Sequence, residues 1–243
     1  YNIGDGIFVV SKQEFQNKEL EKSITHTCYK STDINKYYTH ENFDPKLFVI
    51  YTNKLTNIDN FPNIKKHLSE FREFLEMKRE YKNGRLPWFS QHWPRDEDIF
   101  TDKEKIVLPY RPKENIFSLA DYNFYASEDV LYIRSIDTSF PSRYILGILN
   151  SKIMYQWLFN RGKRKGNTLE LYQDPLSKIP IPNLKLQSKN IIGKEIINII
   201  DKIIEIKKTG SKIDTKELED EMNELVMDLY ELNEEEKNLV RNS

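Results

Sequence analysis

The sequence predicts an α/β (α+β) fold, with a mixed sheet and flanking helices followed by an antiparallel helical tail. Short runs rich in β-branched and aromatic residues recur up to residue 134, which is typical of strands. After residue 187, apolar residues recur at intervals of three and four in two long stripes, which indicates helices. The segment I-P-I-P at residues 179–182 must be extended and marks an edge between the two patterns. The 243 residues therefore divide into a domain, residues 1–186, and a tail of a helical hairpin plus a short final helix, residues 187–243.

Five strands and one long helix are predicted before residue 135. The strands cover residues 7–10, 47–51, 105–108, 123–126 and 130–134. The polar residues between the last two strands predict that these strands form a hairpin. Apolar residues follow a helical period over residues 63–81, and Asn83 and Gly84 supply the stop.

The remainder is predicted to be mainly helical. Ser142 is the expected N-cap of a helix that Asn150 and Ser151 interrupt and restart as residues 152–159. In the tail, residues 192–206 and 218–232 carry the apolar stripes, and the turn at residues 209–211 makes the two helices antiparallel. Asp214 and Glu217 predict a capping box for the second helix, and residues 233–236 cap a final short turn.

Charge is unevenly distributed, although the net charge is −1. From residue 187 onward there are 9 Lys and Arg against 14 Asp and Glu, which leaves 28 against 24 for the rest of the chain. From residue 138 to residue 169 there is no acidic residue at all. This distribution hints at a basic working face and an acidic tail.

Several kinds of protein are excluded by residues that the sequence lacks. The single cysteine, Cys28, rules out an internal disulfide and a four-cysteine zinc site, and it fits a reducing, cytoplasmic setting. The four histidines are scattered, and no G-x-G-x-x-G, Walker loop or G-x-S-x-G occurs, so neither a metal site nor a catalytic site is expected. No apolar run approaches the length of a membrane span. The chain starts at Tyr1 without an initiator Met, so we expect a fragment of something longer.

The sharpest local feature is the segment R-G-K-R-K-G-N at residues 161–167. Arg161, Lys163, Arg164 and Lys165 place four positive charges within five residues. Such cations can neutralise phosphates and release counterions, while the glycines let backbone amides approach the same oxygens. The alternative is a solvated surface loop, and composition alone favours nucleic acid only slightly.

Two other segments combine aromatic and cationic residues. The segment W-F-S-Q-H-W-P-R at residues 88–95 either contacts a groove of DNA or forms a corner of the hydrophobic core. The second alternative carries at least equal weight, because Trp is more often buried than exposed. Within the segment, Gln91 and Arg95 have donor groups that suit base edges or phosphates. Tyr110 and Arg111 lie between two prolines directly after a strand, on a rigid turn of the kind that often carries function.

Several of these segments occur in a recognisable order along the chain. They are W-F-S-Q-H-W-P-R (88–95), K-I-V-L-P-Y-R (105–111), N-F-Y-A (123–126), Y-I-L-G-I-L-N-S-K (144–152), G-K-R-K-G-N-T (162–168) and L-S-K-I-P-I-P (176–182). The set resembles the TaqI-like C-terminal specificity domain, the target-recognition part of N6-adenine DNA methyltransferases and of fused type IIG restriction–modification proteins. The opening G-D-G-I-F-V-V and the late E-L-V-M-D-L-Y-E-L-N-E-E-E extend the resemblance over nearly the whole chain.

The resemblance implies that residues 1–186 recognise a specific sequence in double-stranded DNA. In the family, an adjoining methyltransferase domain binds S-adenosylmethionine and presents an Asn-Pro-Pro-Tyr-type motif to the flipped adenine, whereas this chain has no Pro-Pro dipeptide. S-adenosylmethionine, and Mg²⁺ if the parent protein is also an endonuclease, are therefore expected in the parent and not in this fragment. The expected partners are DNA and the N-terminal methyltransferase domain of the same chain, with no membrane.

The positions expected on the DNA side are Arg95, Lys105, Tyr110, Arg111, Lys152, Arg161, Lys163, Arg164 and Lys165. Three alternatives remain open at this point. The chain could be a separate specificity subunit whose tail helices dock onto modification subunits. It could also be a protein-interaction module that uses exposed aromatic residues, or a self-contained nuclease.

Overall fold

The computed structural model describes residues 6–92, 94–210 and 213–242, which divide into two compact units. Unit 1 draws its described residues from Tyr1–Tyr29, Glu41–Thr101 and Phe124–Ser127, and unit 2 draws its residues from Lys30–His40, Asp102–Asn123 and Glu128–Ser243. Because each unit is assembled from three separate segments, neighbours in the sequence are not always neighbours in the same unit.

The described residues form short strands and helices of very different lengths. The strands are β1 (Val9–Ser11), β2 (Thr25–Tyr29), β3 (Tyr37–Tyr38), β4 (Leu47–Ile50), β5 (Lys105–Pro109), β6 (Ser118–Ala120), β7 (Tyr125–Ala126), β8 (Val130–Arg134), β9 (Lys163–Lys165) and β10 (Thr168–Glu170). The helices are α1 (Lys12–Asn17), α2 (Pro62–Ser69), α3 (Arg72–Glu76), α4 (Arg79–Lys82), α5 (Asp98–Thr101), α6 (Ser142–Leu149), α7 (Lys152–Arg161), α8 (Gln173–Ser177), α9 (Gln187–Lys208), α10 (Lys216–Leu229) and α11 (Glu234–Arg241). The predicted fold class, mixed sheets with flanking helices and a helical C-terminal part, is confirmed.

Unit 1 is built on a sheet with the strand order β1-β4-β2-β7. β1 and β2 both pair antiparallel with β4, whereas β7 pairs parallel with β2. From α2, Ile64 and Leu68 are fully buried and pack in one core with Val10 and Ile50 of the sheet. The amphipathic face of α2 thus closes one side of this sheet.

Unit 2 has the sheet β3-β6-β5-β8, in which β5 is antiparallel to both of its neighbours and β3 is parallel to β6. Ile106 of β5 packs in one core with Tyr144 of α6 and Ile200 of α9, and all three are buried. A Cβ at Gly147 of α6 would lie 2.6 Å from Ile196 Cγ2, so the glycine permits the close approach of α6 and α9. The sheet and these helices therefore share one hydrophobic core.

The tail helices form part of unit 2. Lys189, near the start of α9, donates to the carbonyl of Leu229 at the end of α10 (2.7 Å), so the two helices are antiparallel as predicted. The predicted division at residues 186 and 187 stays a prediction. Residues 211 and 212 of the expected connection lie outside the described residues. Within the described part of the chain, no helix combines the length and the apolar character that crossing a membrane requires.

The predicted helix ends are partly right. Ser151 accepts the Met154 N–H and restarts the chain as α7, and Asn233 forms a reciprocal capping box with Glu236. Ser142 is the first residue of α6 rather than its N-cap, and its hydroxyl donates to the carbonyl of Glu104 (3.1 Å). The capping box predicted at Asp214 is wrong. The Asp214 carboxylate accepts the Lys216 N–H (2.9 Å), and Thr215 is the N-cap of α10.

The single helix predicted over residues 63–81 is three helices, α2, α3 and α4. Lys78 separates the last two because its backbone is extended, with φ −57° and ψ 137°. From this position its ammonium donates to the carbonyl of Ser90 (2.9 Å) and lies 4.9 Å from the Phe8 ring centroid. Those contacts are distant in sequence, so periodicity could not reveal the break.

The hairpin predicted from residues 123–126 and 130–134 is also wrong. β7 pairs with β2 in unit 1, whereas β8 pairs with β5 in unit 2. The polar residues between them mark the passage from one unit to the other instead of a hairpin turn. A turn signal fixes where a strand ends and leaves its partner undetermined.

Candidate nucleic-acid interface

The basic segment predicted as a loop is a β-hairpin in unit 2. β9 and β10 are antiparallel, with Lys165 opposite Thr168 and Lys163 opposite Glu170. Gly166 in the turn has φ +60°, a conformation that favours glycine. At the base, a Cβ on Gly162 would lie 2.4 Å from the carbonyl oxygen of Leu158, so this glycine lets α7 pass directly into β9. β9 therefore presents Lys163, Arg164 and Lys165 on a regular strand, Arg161 ends α7, and all four cations are exposed.

The hairpin is fastened to the rest of unit 2 through β10. The backbone N–H of Leu169 donates to the carbonyl of Pro112, and that of Leu171 donates to the carbonyl of Tyr110, each at 2.9 Å. The side chains of both leucines are 1% exposed. β10 and the following residue thus lie along the turn at residues 110–112, while β9, with Lys163, is exposed.

Two cations of β9, and Arg111 in the turn at residues 110–112, lie against aromatic rings. The guanidinium carbon of Arg164 is 4.0 Å from the ring centroid of Phe159, and that of Arg111 is 4.8 Å from the centroid of Tyr110. The ammonium of Lys163 is 5.5 Å from the Tyr172 centroid. Cation–π attraction of this kind limits the rotamers of an exposed cation without neutralising it. The surface is therefore both positive and partly ordered.

One buried carboxylate joins the predicted turn to the predicted basic segment. Glu170 Oε1 accepts from Arg111 Nε (3.1 Å) and Nη2 (2.9 Å), and Lys163 Nζ is 3.5 Å from its Oε2. The Glu170 side chain is 6% exposed, against 45% for Arg111 and 63% for Lys163. Burial raises the pKa of Glu170, but hydrogen bonds and charges from Arg111 and Lys163 outweigh it and hold the pKa below its ordinary value. Glu170 is thus an ionised anchor under two exposed cations.

Lys152 lies at the exposed N-terminus of α7 and lines a cleft of about 580 Å³ in unit 2. Its backbone N–H donates to Asn223 Oδ1 (2.8 Å). The lining is mixed in charge, with four lysines and three carboxylates: Lys36, Lys113, Lys152, Lys216, Glu114, Glu219 and Asp220. Tyr155 also lines the cleft, and its ring contacts Phe159 at a centroid distance of 5.8 Å. Along α7, the cleft and the hairpin are therefore adjacent.

Lys105 does not lie on this surface, and its assignment to the DNA side is wrong. The residue is fully buried, and its ammonium donates to the backbone carbonyls of Asp102 (2.5 Å), Ala120 (3.4 Å) and Tyr122. Burial, opposed in part by the charge of Asp102, lowers its pKa to about 8. An ammonium held by three carbonyls in the interior cannot reach a phosphate, so Lys105 holds the chain around β5 and β6.

Arg95 belongs to unit 1, whereas the other predicted cations belong to unit 2. It is half-buried, and its carbonyl accepts from the Tyr51 hydroxyl (2.7 Å). The Gln91 amide donates to the carbonyl of Ile50 (2.9 Å), so its donor group is used inside the fold. Trp88 packs against the core of unit 1, and Trp93 lies outside the described residues. Of this segment, Arg95 stays a predicted DNA contact.

Sequence reasoning missed Glu170 and Tyr172. Glu170 is the first acidic residue after the acid-free stretch of residues 138–169, and it lies three residues after the end of the basic segment. That position was a usable signal. The pairing itself was not predictable, because 59 positions separate Glu170 from Arg111.

The fold is similar to that of part of a solved restriction–modification enzyme. The Type IIL restriction-modification enzyme MmeI, solved in complex with DNA, superposes with a TM-score of 0.63 over 99% of this chain and 35% of its own, at 13% identity. Residues 26–181 match the TaqI-like C-terminal specificity domain, and the chain belongs to that family. The resemblance inferred from the motifs is thereby confirmed.

Three relatives with similar sequences are type II methyltransferases. M.HincII of Haemophilus influenzae is 28% identical over 209 residues, which are 82% of this chain and 41% of the relative. M.HindII of Haemophilus influenzae strain Rd is 29% identical over 82% of this chain and 40% of its own. M.MjaIV of Methanocaldococcus jannaschii is 29% identical over 65% of this chain and 52% of its own. The chain thus spans about two fifths of the two Haemophilus relatives.

Proposed function

We propose that this chain is the DNA target-recognition domain of a restriction–modification methyltransferase. The observation that carries the proposal is the exposed hairpin β9–β10, which presents Lys163, Arg164 and Lys165 on a fixed backbone. Family membership and methyltransferase relatives support it. The fold of MmeI, a protein solved in complex with DNA, is similar to that of this chain and also supports the proposal.

In this proposal the cations divide into two roles. Arg111, Arg161 and the cations of β9 neutralise phosphates, which gives affinity and orientation without sequence information. Tyr110 lies beneath Arg111 and orders it, and Lys152 extends the positive surface along α7 toward the cleft. Arg95 of unit 1 is the candidate for direct base contact, since a guanidinium can donate two hydrogen bonds to one guanine.

Methyl transfer itself is assigned to another part of the parent protein. The M.HincII and M.HindII polypeptides extend well beyond the region that this chain matches, and we propose that the corresponding part of the parent binds S-adenosylmethionine. An N-terminal methyltransferase domain in the same chain is therefore the proposed protein partner. If the parent also cleaves DNA, Mg²⁺ would act in a further part of it.

A binding titration over a series of salt concentrations tests the proposal. The full-length protein is titrated with a mixed-sequence duplex, and log affinity is expected to fall linearly with log salt, with a slope of about −0.9 for each phosphate contacted. A module that binds proteins through apolar contacts would show no such dependence. Absence of duplex binding at about 50 mM salt, where such contacts are strong, would sink the proposal.

Arg95→Ala should reduce discrimination rather than general affinity. Loss of a base contact costs about 1–3 kcal/mol, chiefly at one base position. Competition between the target duplex and single-base variants measures this, once the modified sequence in the host genome has been mapped. Arg85→Ala, which removes an exposed arginine from the same unit, is the matched control. Equal losses on target and unrelated duplexes would make Arg95 a phosphate contact instead.

A further inference from the structure

We propose that Glu170 is a positioning residue that fixes Arg111 and Lys163 to receive the DNA backbone, so that a carboxylate inside a phosphate-binding surface strengthens DNA binding. The inference rests on the proposed function. An anion near phosphates ordinarily repels them, so charge alone predicts that Glu170 weakens DNA binding. The geometry of the carboxylate points to the opposite outcome.

Contacts of the β10 backbone, and not the two cations, fix the position of the Glu170 carboxylate. The residues on either side of Glu170 are buried leucines whose N–H groups donate to the carbonyls of Pro112 and Tyr110. These contacts hold the backbone of β10, and the side chain of Glu170 is itself 6% exposed. Its two oxygens therefore occupy defined positions on the inner side of the hairpin.

Each oxygen takes one cation. Oε1 accepts both Nε and Nη2 of Arg111, and Lys163 lies nearest to Oε2. Arg111 also lies over Tyr110, and Lys163 lies over Tyr172, so each cation is held from two sides. Arginine and lysine lose much rotamer freedom when they bind a phosphate. Part of that loss is already incurred in the unbound protein, which favours binding.

The surface keeps an excess of positive charge after the carboxylate is counted. Five cations belong to it, Arg111, Arg161, Lys163, Arg164 and Lys165, against the one buried carboxylate. Because Glu170 lies beneath Arg111 and Lys163, its charge faces them more closely than it faces a ligand on the exposed side. Ordering of the cations is therefore expected to outweigh repulsion of the phosphates.

Glu170→Gln separates the two effects because they have opposite signs. The full-length protein is titrated with a long mixed-sequence duplex over a salt series. If Glu170 positions both cations, the variant loses one to two phosphate contacts and the slope magnitude falls by about 1 to 2. Binding at about 0.1 M salt then weakens roughly tenfold for one lost contact and about sixtyfold for two. Asp174→Asn, which removes an exposed carboxylate four residues further on, is the charge-matched control and should leave the slope unchanged.

A second background distinguishes positioning from general support of the hairpin. In the double variant Arg111→Ala, Lys163→Ala, the further change Glu170→Gln should not weaken binding, and it should tighten binding slightly because only the repulsion between the carboxylate and the phosphates is left to remove. If Glu170 merely maintained the fold of β10, binding would weaken again through Arg164 and Lys165. Arg111→Lys offers a third readout that leaves Glu170 intact. Lysine keeps the positive charge but lacks the paired donors of the guanidinium, so this variant should bind DNA more weakly than the wild type.

The outcomes are distinct for the inference and for the proposed function. Tighter or unchanged binding by Glu170→Gln, or unchanged binding by Arg111→Lys, overturns the positioning role while the wild type still binds DNA. A further loss caused by Glu170→Gln in the double variant also overturns it. A wild-type protein that binds no duplex overturns the proposed function itself.

Discussion

Ile199→Asp is expected to unfold unit 2 or to lower its melting temperature severely. Ile199 is 3% exposed and belongs to the core that α9 shares with the sheet of unit 2. Removing a large buried aliphatic side chain typically costs about 2–5 kcal/mol, and an unpaired buried carboxylate adds to that. Domains are stable by only about 5–15 kcal/mol, so one such change consumes much of the total.

Ile191→Asp is the matched control for that change. It introduces the same carboxylate into the same helix, but Ile191 is 64% exposed. Thermal unfolding followed by circular dichroism should therefore distinguish the two variants, with Ile191→Asp close to wild type. Equal melting of Ile199→Asp and the wild type would mean that α9 does not bury this stripe in solution.

The tail could be predicted from sequence because its signal is local. Two long stripes at the helical period force α9 and α10 to bury one face each, whatever their partner is. The break before α7 is equally local, since the Ser151 hydroxyl satisfies the N–H of Met154, three residues later. What could not be predicted is the partner, namely the sheet of unit 2, because β3, β6 and β5 come from separate stretches of the chain.

The candidate site likewise combines features that the sequence reveals with contacts that it does not. The run of cations at residues 161–165 is visible in the sequence, and so is the turn that holds Arg111. Neither shows that Glu170 connects them, because that contact exists only after the hairpin lies along residues 110–112. Lys105 fails for a related reason. Residue type alone cannot distinguish an ammonium held by three interior carbonyls from one in solvent.

Changing Lys163, Arg164 and Lys165 to alanine together is expected to produce the largest loss of DNA affinity. If all three contact phosphates, the magnitude of the salt slope should fall by up to about 3, since each contact contributes about 0.9. At about 0.1 M salt that corresponds to a loss of several hundredfold in affinity. Binding to target and unrelated duplexes should weaken by similar factors, because phosphate contacts carry no sequence information, so discrimination should survive.

The control for the triple change removes the same charge from elsewhere in unit 2. Lys185, Lys194 and Lys202 are exposed lysines in or just before α9, and their replacement by alanine lowers the net charge equally. If affinity responds to the overall field alone, the two triple variants should lose the same amount. If the hairpin contacts the backbone directly, only its own variant should lose the slope. A hairpin variant with unchanged affinity and slope would show that β9 is a solvated surface element and that its assignment to DNA is wrong.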